Sequence, residues 1–567
     1  MSKKIRNNRA SLLNSKEVKS FDFATSQSGQ LDFIDLFCGC GGFTLGMQRA
    51  GFQCLAAIDF NTQAIETLKE NLVEVKHALV RDLTQYDPEE LAKLIGAKHV
   101  DVIVGGPPCQ GFSTARQVDG ANHGKRLKED PRRHLYREFL RYVDFFQPRM
   151  FVMENVLGLR SAAGGAYFTA VQKEARELGR AHGKPGYRVH AQIEDAWKLG
   201  VPQKRRRQLI IGVRNDLHGY FLPELKPSPR AESYICLGAA ISDLPILRAG
   251  SGQDERDYDL VRRAKHIEHN GEVARKYLFD VLEIDSTHTL TNHVSRPHNE
   301  RDLRDFTRLH EGENAATAMR NRGVEFEFPY DRSKFKDRFT RQSRFQPCST
   351  IVAHLSKDGL MFIHPTQNRS LTPREAARVQ SFPDWFRFPK ARTHSFRLIG
   401  NAVPPLIGEA VGLEVKEFLS QCSKGNFEPE SLSLRRGQEL NPVLVTYKND
   451  ATHLLEKLSQ IDRRDIRSLP VQKLLDGWYA LLFLFPGLHP DNALDHGEDI
   501  ERVSVNIIES QKFEILFSNR YVRSGWPVAF QHLGTEVWRR HKMGEVGEAE
   551  LYGAGVLDTN QLKRNKG

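Results

Sequence analysis

A chain of 567 residues is too long for one ordinary domain, and 40% hydrophobic with 27% charged residues supplies enough apolar surface for real cores. Lys and Arg (82) exceed Asp and Glu (71), a formal charge of +11 that suits a polyanionic partner, because each cation set against a phosphate releases condensed counterions. Seven cysteines without a CxxC pair argue against a disulfide framework or a zinc module, and the longest apolar run, Trp478–Leu488, is too short to span a bilayer.

Residues 1–30 are polar and basic and lack the apolar segment of a signal peptide, so they read as a flexible tail on a cytoplasmic protein with no membrane association. From Leu31 to about Arg214, short apolar runs alternate with amphipathic stretches, the pattern of an α/β domain with a mainly parallel sheet. Strands are expected at Phe33–Phe37, Leu55–Asp59, Val100–Val104, Met150–Glu154 and Gln208–Val213, with helices at Thr62–Asn71 and His134–Phe146. Ligands of such sheets bind beyond the carboxyl ends of the strands. Between Asn215 and Ser370 the rhythm breaks down into a stretch rich in Arg, His, Asp and Pro, read as a second domain or large insertion. Helical patterning returns at Thr372–Gln380 and after Pro405. A Ser/Gly/Glu-rich linker follows Cys422 and leads, past Arg436, to a segment with aromatics and expected helices up to about Leu557.

The first strand runs into Asp35-Leu36-Phe37-Cys38-Gly39-Cys40-Gly41-Gly42-Phe43-Thr44 and then a helix. Glycines there let backbone approach a ligand, and the helix start offers free N–H groups. Asp59 ends the next strand, where an acid commonly holds ribose hydroxyls, and Asp82 follows the third apolar stretch, where it could accept from an adenine amino group. Dinucleotide, nucleotide and S-adenosylmethionine binding all fit such a turn, as does a tight turn with no ligand. Cys38 and Cys40 have no partner pair at zinc spacing and read as small packed residues; no metal is expected.

The fourth strand delivers Gly105-Gly106-Pro107-Pro108-Cys109-Gln110-Gly111-Phe112-Ser113. A lone cysteine is usually a buried small hydrophobe, but this one sits on a proline-stiffened loop at the ligand end of the sheet. Glu154-Asn155-Val156 ends the next strand, where a carboxylate could equally be a strand-end charge. Gln203-Lys204-Arg205-Arg206-Arg207 could be a solvated basic run, yet it leads into an apolar strand, so Arg205 and Arg207 would share one face.

In order along the chain, Phe-x-Gly-x-Gly-Gly, Pro-Cys-Gln, Glu-Asn-Val, Gln-x-Arg-x-Arg, Arg374-Glu375-Ala376-Ala377-Arg378-x-Gln380-x-Phe382-Pro383 and Gly400-Asn401-Ala402-Val403-Pro404-Pro405 together resemble the cytosine-5 DNA methyltransferases of bacterial restriction–modification systems. The resemblance spans Leu31–Leu419. It implies a Rossmann-like, S-adenosylmethionine-dependent catalytic domain (31–214 and 371–422), a smaller mixed target-recognition domain (215–370) and a C-terminal extension (437–567) of unassigned role. It implies Cys109 as the nucleophile at carbon 6 of a flipped cytosine, Glu154 at the exocyclic amine and ring N3, Arg207 at the carbon-2 oxygen and Arg205 on nearby backbone. For the cofactor it implies Phe37, Gly39, Gly41, Asp59, Phe60, Asp82, Pro108, Leu135 and Asn401. On the substrate side it implies Gln110, Ser113, Asn155 and Thr350.

Within the recognition region Arg341, Gln342, Arg344 and Lys357 are candidates for major-groove contacts, although a solvated side chain or a phosphate contact is the favoured reading of each. The implied partner is double-stranded DNA, bound by a monomer, with a cognate restriction endonuclease acting separately. Amino methylation is disfavoured, since it wants an aromatic where Cys109-Gln110 stands. A transfer-RNA cytosine-5 methyltransferase of the same fold and an inactive DNA-binding relative remain the alternatives.

Overall fold

The computed structural model describes residues 30–108, 134–179, 182–184, 186–214, 217, 225–285, 289–328, 339–357 and 359–424, together with strands beyond residue 438. Cys109, Gln110 and Ser113 lie outside the described residues.

The first part alternates strand and helix: β1 (Asp32–Leu36), α1 (Gly42–Arg49), β2 (Gln53–Asp59), α2 (Thr62–Asn71), β3 (Ala78–Val80), α3 (Pro88–Ile95), β4 (Val102–Gly105), α4 (Leu135–Phe146), β5 (Met150–Val156), α5 (Ala166–Glu177), β6 (Tyr187–Asp195) and β7 (Arg206–Arg214). Local chemistry sets several boundaries. The Asn61 side chain caps α2 by accepting from the Ala64 amide at 3.1 Å. α3 starts with Asp87 as cap and Pro88 behind it, and stops at Gly96 in the left-handed region.

The seven strands form one sheet in the order β3-β2-β1-β4-β5-β7-β6. Strands β1 to β5 are parallel, and β7 runs antiparallel to both neighbours. Alternate side chains feed two cores. Phe33, Val104, Val152 and Leu209 point to one face, Ile34, Ile103, Phe151 and Ile210 to the other. This burial on both faces is why the central strands read as unbroken apolar runs. β6 has no counterpart among the expected strands. It is an edge strand, and Tyr-Arg-Val-His-Ala-Gln-Ile-Glu-Asp alternates polar with apolar residues, a weaker signal than an apolar run.

After β7 come α6 (Leu237–Ile241), β8 (Glu255–Arg256), α7 (Leu260–Lys276, broken at Gly271), β9 (Leu290–Thr291), α8 (Glu300–Thr307) and α9 (Ala315–Arg322). Leu237, Ala240, Ile241, Leu278 and Leu282 belong to the same core as one face of the sheet, whereas Phe306, Phe326, Phe328 and Phe339 make a separate small core. The chain then returns through α10 (Pro373–Val379), α11 (Arg392–Asn401) and α12 (Pro405–Lys424). α12 lies across α1 so closely that a Cβ on Gly46 would stand 2.4 Å from the Pro405 carbonyl oxygen, and one on Gly42 would stand 2.1 Å from that of Val403. The last motif thus folds back against the first. The stretch Arg392–Ser420 is apolar enough to cross a bilayer, but 78% of its most apolar window is buried inside the protein. Beyond Lys424 the described elements are strands, β10 (Glu439–Leu440) to β18 (Val556–Leu557), whereas helices were expected there; β15 (Ile500–Glu509) and β16 (Lys512–Asn519) pair antiparallel.

Candidate active site

At the carboxyl end of β1 the chain turns with Phe37, Gly39 and Gly41 all at positive φ (59°, 55° and 91°) before α1 begins. A non-glycine residue in that region is held there by its surroundings at some cost. Here the Cys38 amide donates to the Ile58 carbonyl at 3.1 Å, and the Gly39 amide donates to Asp59 Oδ2 at 3.0 Å. The other Asp59 oxygen accepts from the Asn61 amide at 2.8 Å. Asp59 therefore shapes the turn itself; burial raises its pKa and these backbone donors partly offset that. A Cβ on Gly39 would meet nothing within 4 Å, so the turn opens onto free space.

Of the other expected cofactor residues, Phe60 and Asp82 follow the carboxyl ends of β2 and β3, the two strands next in the sheet after β1. Phe60 is 68% exposed, an unusual position for a large apolar ring. Asp82 is exposed and accepts from the Thr84 amide and hydroxyl at 2.9 and 2.8 Å. Asn401 is exposed at the end of α11, two residues from the Val403 carbonyl that touches Gly42. Pro108 and Leu135 are half-buried on either side of the segment outside the described residues. An open glycine floor, an exposed aromatic face and carboxylates on successive strand ends fit a nucleoside with a charged tail. Beneath them Asp35 is fully buried, with the Thr44 hydroxyl 2.6 Å from Oδ2, and burial pushes its carboxyl up to about 7. Cys38 and Cys40 are buried, the Cys40 thiol pushed up to about 12 by burial, and among the described residues no group of three His, Cys, Asp or Glu could hold a metal.

The second half of the site is at the ends of β4 and β5. A Cβ on Gly106 would lie 3.5 Å from Glu154 Oε2, so the loop leading to Cys109 starts against the Glu154 carboxylate. The Asn155 amide donates to the Pro107 carbonyl at 3.2 Å, fastening that loop to β5. Because β7 runs backwards, its first residues come to the carboxyl end of β5, with Val156 opposite Arg207. Arg207 Nε stands 2.8 Å from Glu154 Oε1, both side chains 11% exposed. The contact is a close ion pair rather than a directed hydrogen bond, so Oε1 keeps accepting capacity.

Arg205, expected on nearby backbone, is buried, and its guanidinium donates to the carbonyls of Ile351 and Ala402, both at 2.9 Å, so it fastens backbone as expected and faces no substrate. Two other expectations need correction. The Asn155 side chain is likewise buried and engaged with Pro107, an anchor for the loop rather than a substrate contact. Arg341 and Gln342 are interior residues. Arg341 donates to the carbonyls of Phe306, Leu309 and His364, and Gln342 bridges Met361 and Ser349, so neither is presented to a groove. A chain crossing irregular loops leaves many carbonyls to satisfy, and buried arginines do that work. Arg344, half-exposed and 3.3 Å from Glu311, and Lys357, exposed, stay at the surface. Thr350 is half-buried, its hydroxyl donating to the Lys204 carbonyl.

Two residues not singled out in the sequence join these parts. Gln203 and Gln380 are fully buried and bonded to one another at 2.5 Å. The Arg-Glu-Ala-Ala-Arg segment, by contrast, proves to be a buried ionic core. Glu375 pairs with Arg369 at 2.6 Å and completes a capping box with Thr372, while Arg378 bridges Asp243 and Asp384 at 2.5 and 2.6 Å.

The family model for C-5 cytosine-specific DNA methylase matches residues 31–417, more than half of the chain. Type II methyltransferase M.DdeI of Desulfomicrobium norvegicum is 34% identical over 422 residues, covering 72% of this chain and 93% of its own. Type II methyltransferase M.AgeI of Thalassovita gelatinovora is 32% identical, covering 68% and 99%. The solved structure of a prophage-encoded E. coli protein described as a DNA modification methyltransferase matches with a TM-score of 0.52 at 26% identity, covering 69% of this chain and all of its own. The chain belongs to the C-5 cytosine-specific DNA methylase family and is a DNA (cytosine-5) methyltransferase, with DNA as substrate and S-adenosylmethionine as methyl donor.

Proposed function

We propose that this protein is the sequence-specific modification enzyme of a type II restriction–modification system, acting as a monomer beside a separate endonuclease, with Cys109 as nucleophile. The observation that carries the assignment of roles is the meeting of Glu154, Arg207 and the Gly106-Pro107 stem at one strand edge, directly before Cys109.

Cytosine carbon 5 is too weakly nucleophilic to take a methyl group unaided, and in duplex DNA it is out of reach. The base is flipped into the site at a cost of a few kcal/mol. The Cys109 thiolate adds to carbon 6, and the displaced π electrons load carbon 5. Glu154 bonds the exocyclic amine and shares a proton with N3, offsetting the charge that addition creates, while Arg207 holds both Glu154 and the carbon-2 oxygen. S-adenosylmethionine supplies the electrophilic methyl group. Loss of the carbon-5 proton and departure of the Cys109 sulfur restore the aromatic ring as 5-methylcytosine. Asn155 and Arg205 act one step back, by holding the Cys109 loop and the Ile351 and Ala402 backbone. Gln110 and Ser113 close behind the base on the loop, and Thr350 borders it. Phe37, Gly39, Gly41, Phe60, Asp59, Asp82, Pro108, Leu135 and Asn401 hold the donor, Phe60 by stacking on adenine. Residues 215–370 read the target, Arg344 and Lys357 being the exposed candidates of the four considered.

Purified protein is expected to transfer labelled methyl groups to duplex DNA, and Cys109→Ala to abolish transfer. Undiminished transfer by the variant would refute the nucleophile. Stronger labelling of transfer RNA than of DNA would instead favour an RNA substrate. Bisulfite mapping of DNA from expressing cells gives the product and its sequence context together.

A further inference from the structure

Three functional segments meet at one buried ring of side-chain hydrogen bonds. They are the turn containing Asn401, the loop containing Thr350, and the segment that leads through Arg205 to Arg207. Gln380 Nε2 donates to the carbonyls of Ile399 (2.6 Å) and Ala402 (3.3 Å). Gln380 Oε1 accepts from Gln203 Nε2 at 2.5 Å, which also donates to Val379 at 3.0 Å. Gln203 Oε1 in turn accepts from the Ile351 amide at 3.1 Å. Arg205 closes the ring by donating to Ile351 and Ala402. Both amide orientations are dictated by their ends, since carbonyls only accept and the Ile351 N–H only donates.

Backbone contact reinforces the link. A Cβ on Gly400 would stand 2.3 Å from the Ala353 amide nitrogen, so the Asn401 turn lies directly on the chain that follows Thr350. Gln203 and Gln380 have no surface exposure, so a broken bond of either amide leaves a buried polar group away from bulk water. A shift of either segment breaks bonds that hold the other.

We propose that Gln380, acting with Gln203, is a positioning residue that couples donor binding at the Asn401 turn to DNA engagement at the Thr350 loop. This rests on the reading in which those segments face donor and DNA. Occupancy on one side holds the ring in one arrangement, so binding on the other side no longer has to order it; by linkage the effect is reciprocal.

The test measures the affinity of S-adenosylhomocysteine for the full chain by calorimetry, without DNA and with a saturating duplex carrying the mapped methylation site. DNA is expected to tighten binding by about fivefold or more in the unaltered protein. In Gln380→Met, which keeps the volume and removes every bond of the amide, the ratio is expected to fall below about twofold. Measurements are made at a temperature where circular dichroism shows the variant folded, so a purely structural role would lower its melting point and leave the ratio intact. Gln380→Asn, which keeps the amide and shortens its reach, serves if Gln380→Met does not fold. An unaltered protein without coupling, or a folded variant that retains it, overturns the proposal. Methylation by the unaltered protein is scored separately, so failure of the underlying reading is told apart from failure of this one.

Discussion

Glu154 and Arg207 illustrate how one contact serves two ends. The arginine pairs with a carboxylate that is 11% exposed, and it stands at the rim where a base would lie. Truncating it leaves Glu154 without its cation and, on the proposed mechanism, removes a donor for the charge that develops on the base. Arg207→Met is expected to lower kcat by about 10²–10³-fold with little change in donor affinity, as read from steady-state kinetics and calorimetry. Asp35 makes a different point. In the unfolded chain its acid ionises near pH 4, about the ordinary aspartate value, whereas burial raises it to about 7 in the fold. Stability associated with the neutral form is complete below about pH 4 and is lost as pH rises towards 7. Asp32, raised to about 6 by burial, adds loss in the same direction. Asp35→Asn cannot ionise, so its stability should fall less than that of the unaltered protein between pH 5 and 8. The difference, on the order of 2 kcal/mol, is measurable by denaturant titration.

At the scale of elements, glycine contact fixes the position of the Asn401 turn. α1 approaches the Val403 turn at Gly42 and α12 at Gly46, backbone to backbone. Gly46→Val should force the helices apart, lowering the melting temperature by several degrees and weakening donor affinity at least tenfold, read by calorimetry at a temperature where the variant is folded. The same scale shows what the sequence made legible. α2 falls at Thr62–Asn71 as expected, because its apolar spacing and Asn61 cap are local signals. β1, β2, β4, β5 and β7 also fall within two residues of their expected ends, because strands buried on both faces stand out. β6 did not, and neither did the interior roles of Arg341 and Gln342. Whether an arginine faces solvent, phosphate or carbonyls depends on which loops fold over it, and that is a tertiary fact with no periodicity. Gln203 and Gln380 were missed for the same reason: each belongs to a motif, but their partnership spans 177 positions of sequence.

For the whole molecule, the family match stops at residue 417 and the described helical body at Lys424, whereas the chain continues to Gly567. A protein ending after Lys424 is expected to fold and to retain methyl transfer within about threefold, the size of a loss of roughly 0.6 kcal/mol. Labelled transfer to duplex DNA measures this, and a truncated protein that folds but is inactive would give the extension a catalytic part.

The reversed direction of β7 carries a consequence for rebuilding the enzyme. Its start brings Arg207 to the reacting rim, but its end, where the Arg214 amide bonds the Arg149 carbonyl, leaves the sheet at the opposite border. The segment 215–370, proposed to read the target, is therefore hung from the far side and must climb back to rejoin the rim, where the Cys348 amide bonds Pro202 and the Ile351 amide bonds Gln203. A foreign module grafted only at Arg214 and Leu371 would keep the hinges and lose the latch. A transplant that altered specificity without stalling turnover would have to carry the native stretch 348–353 along with it.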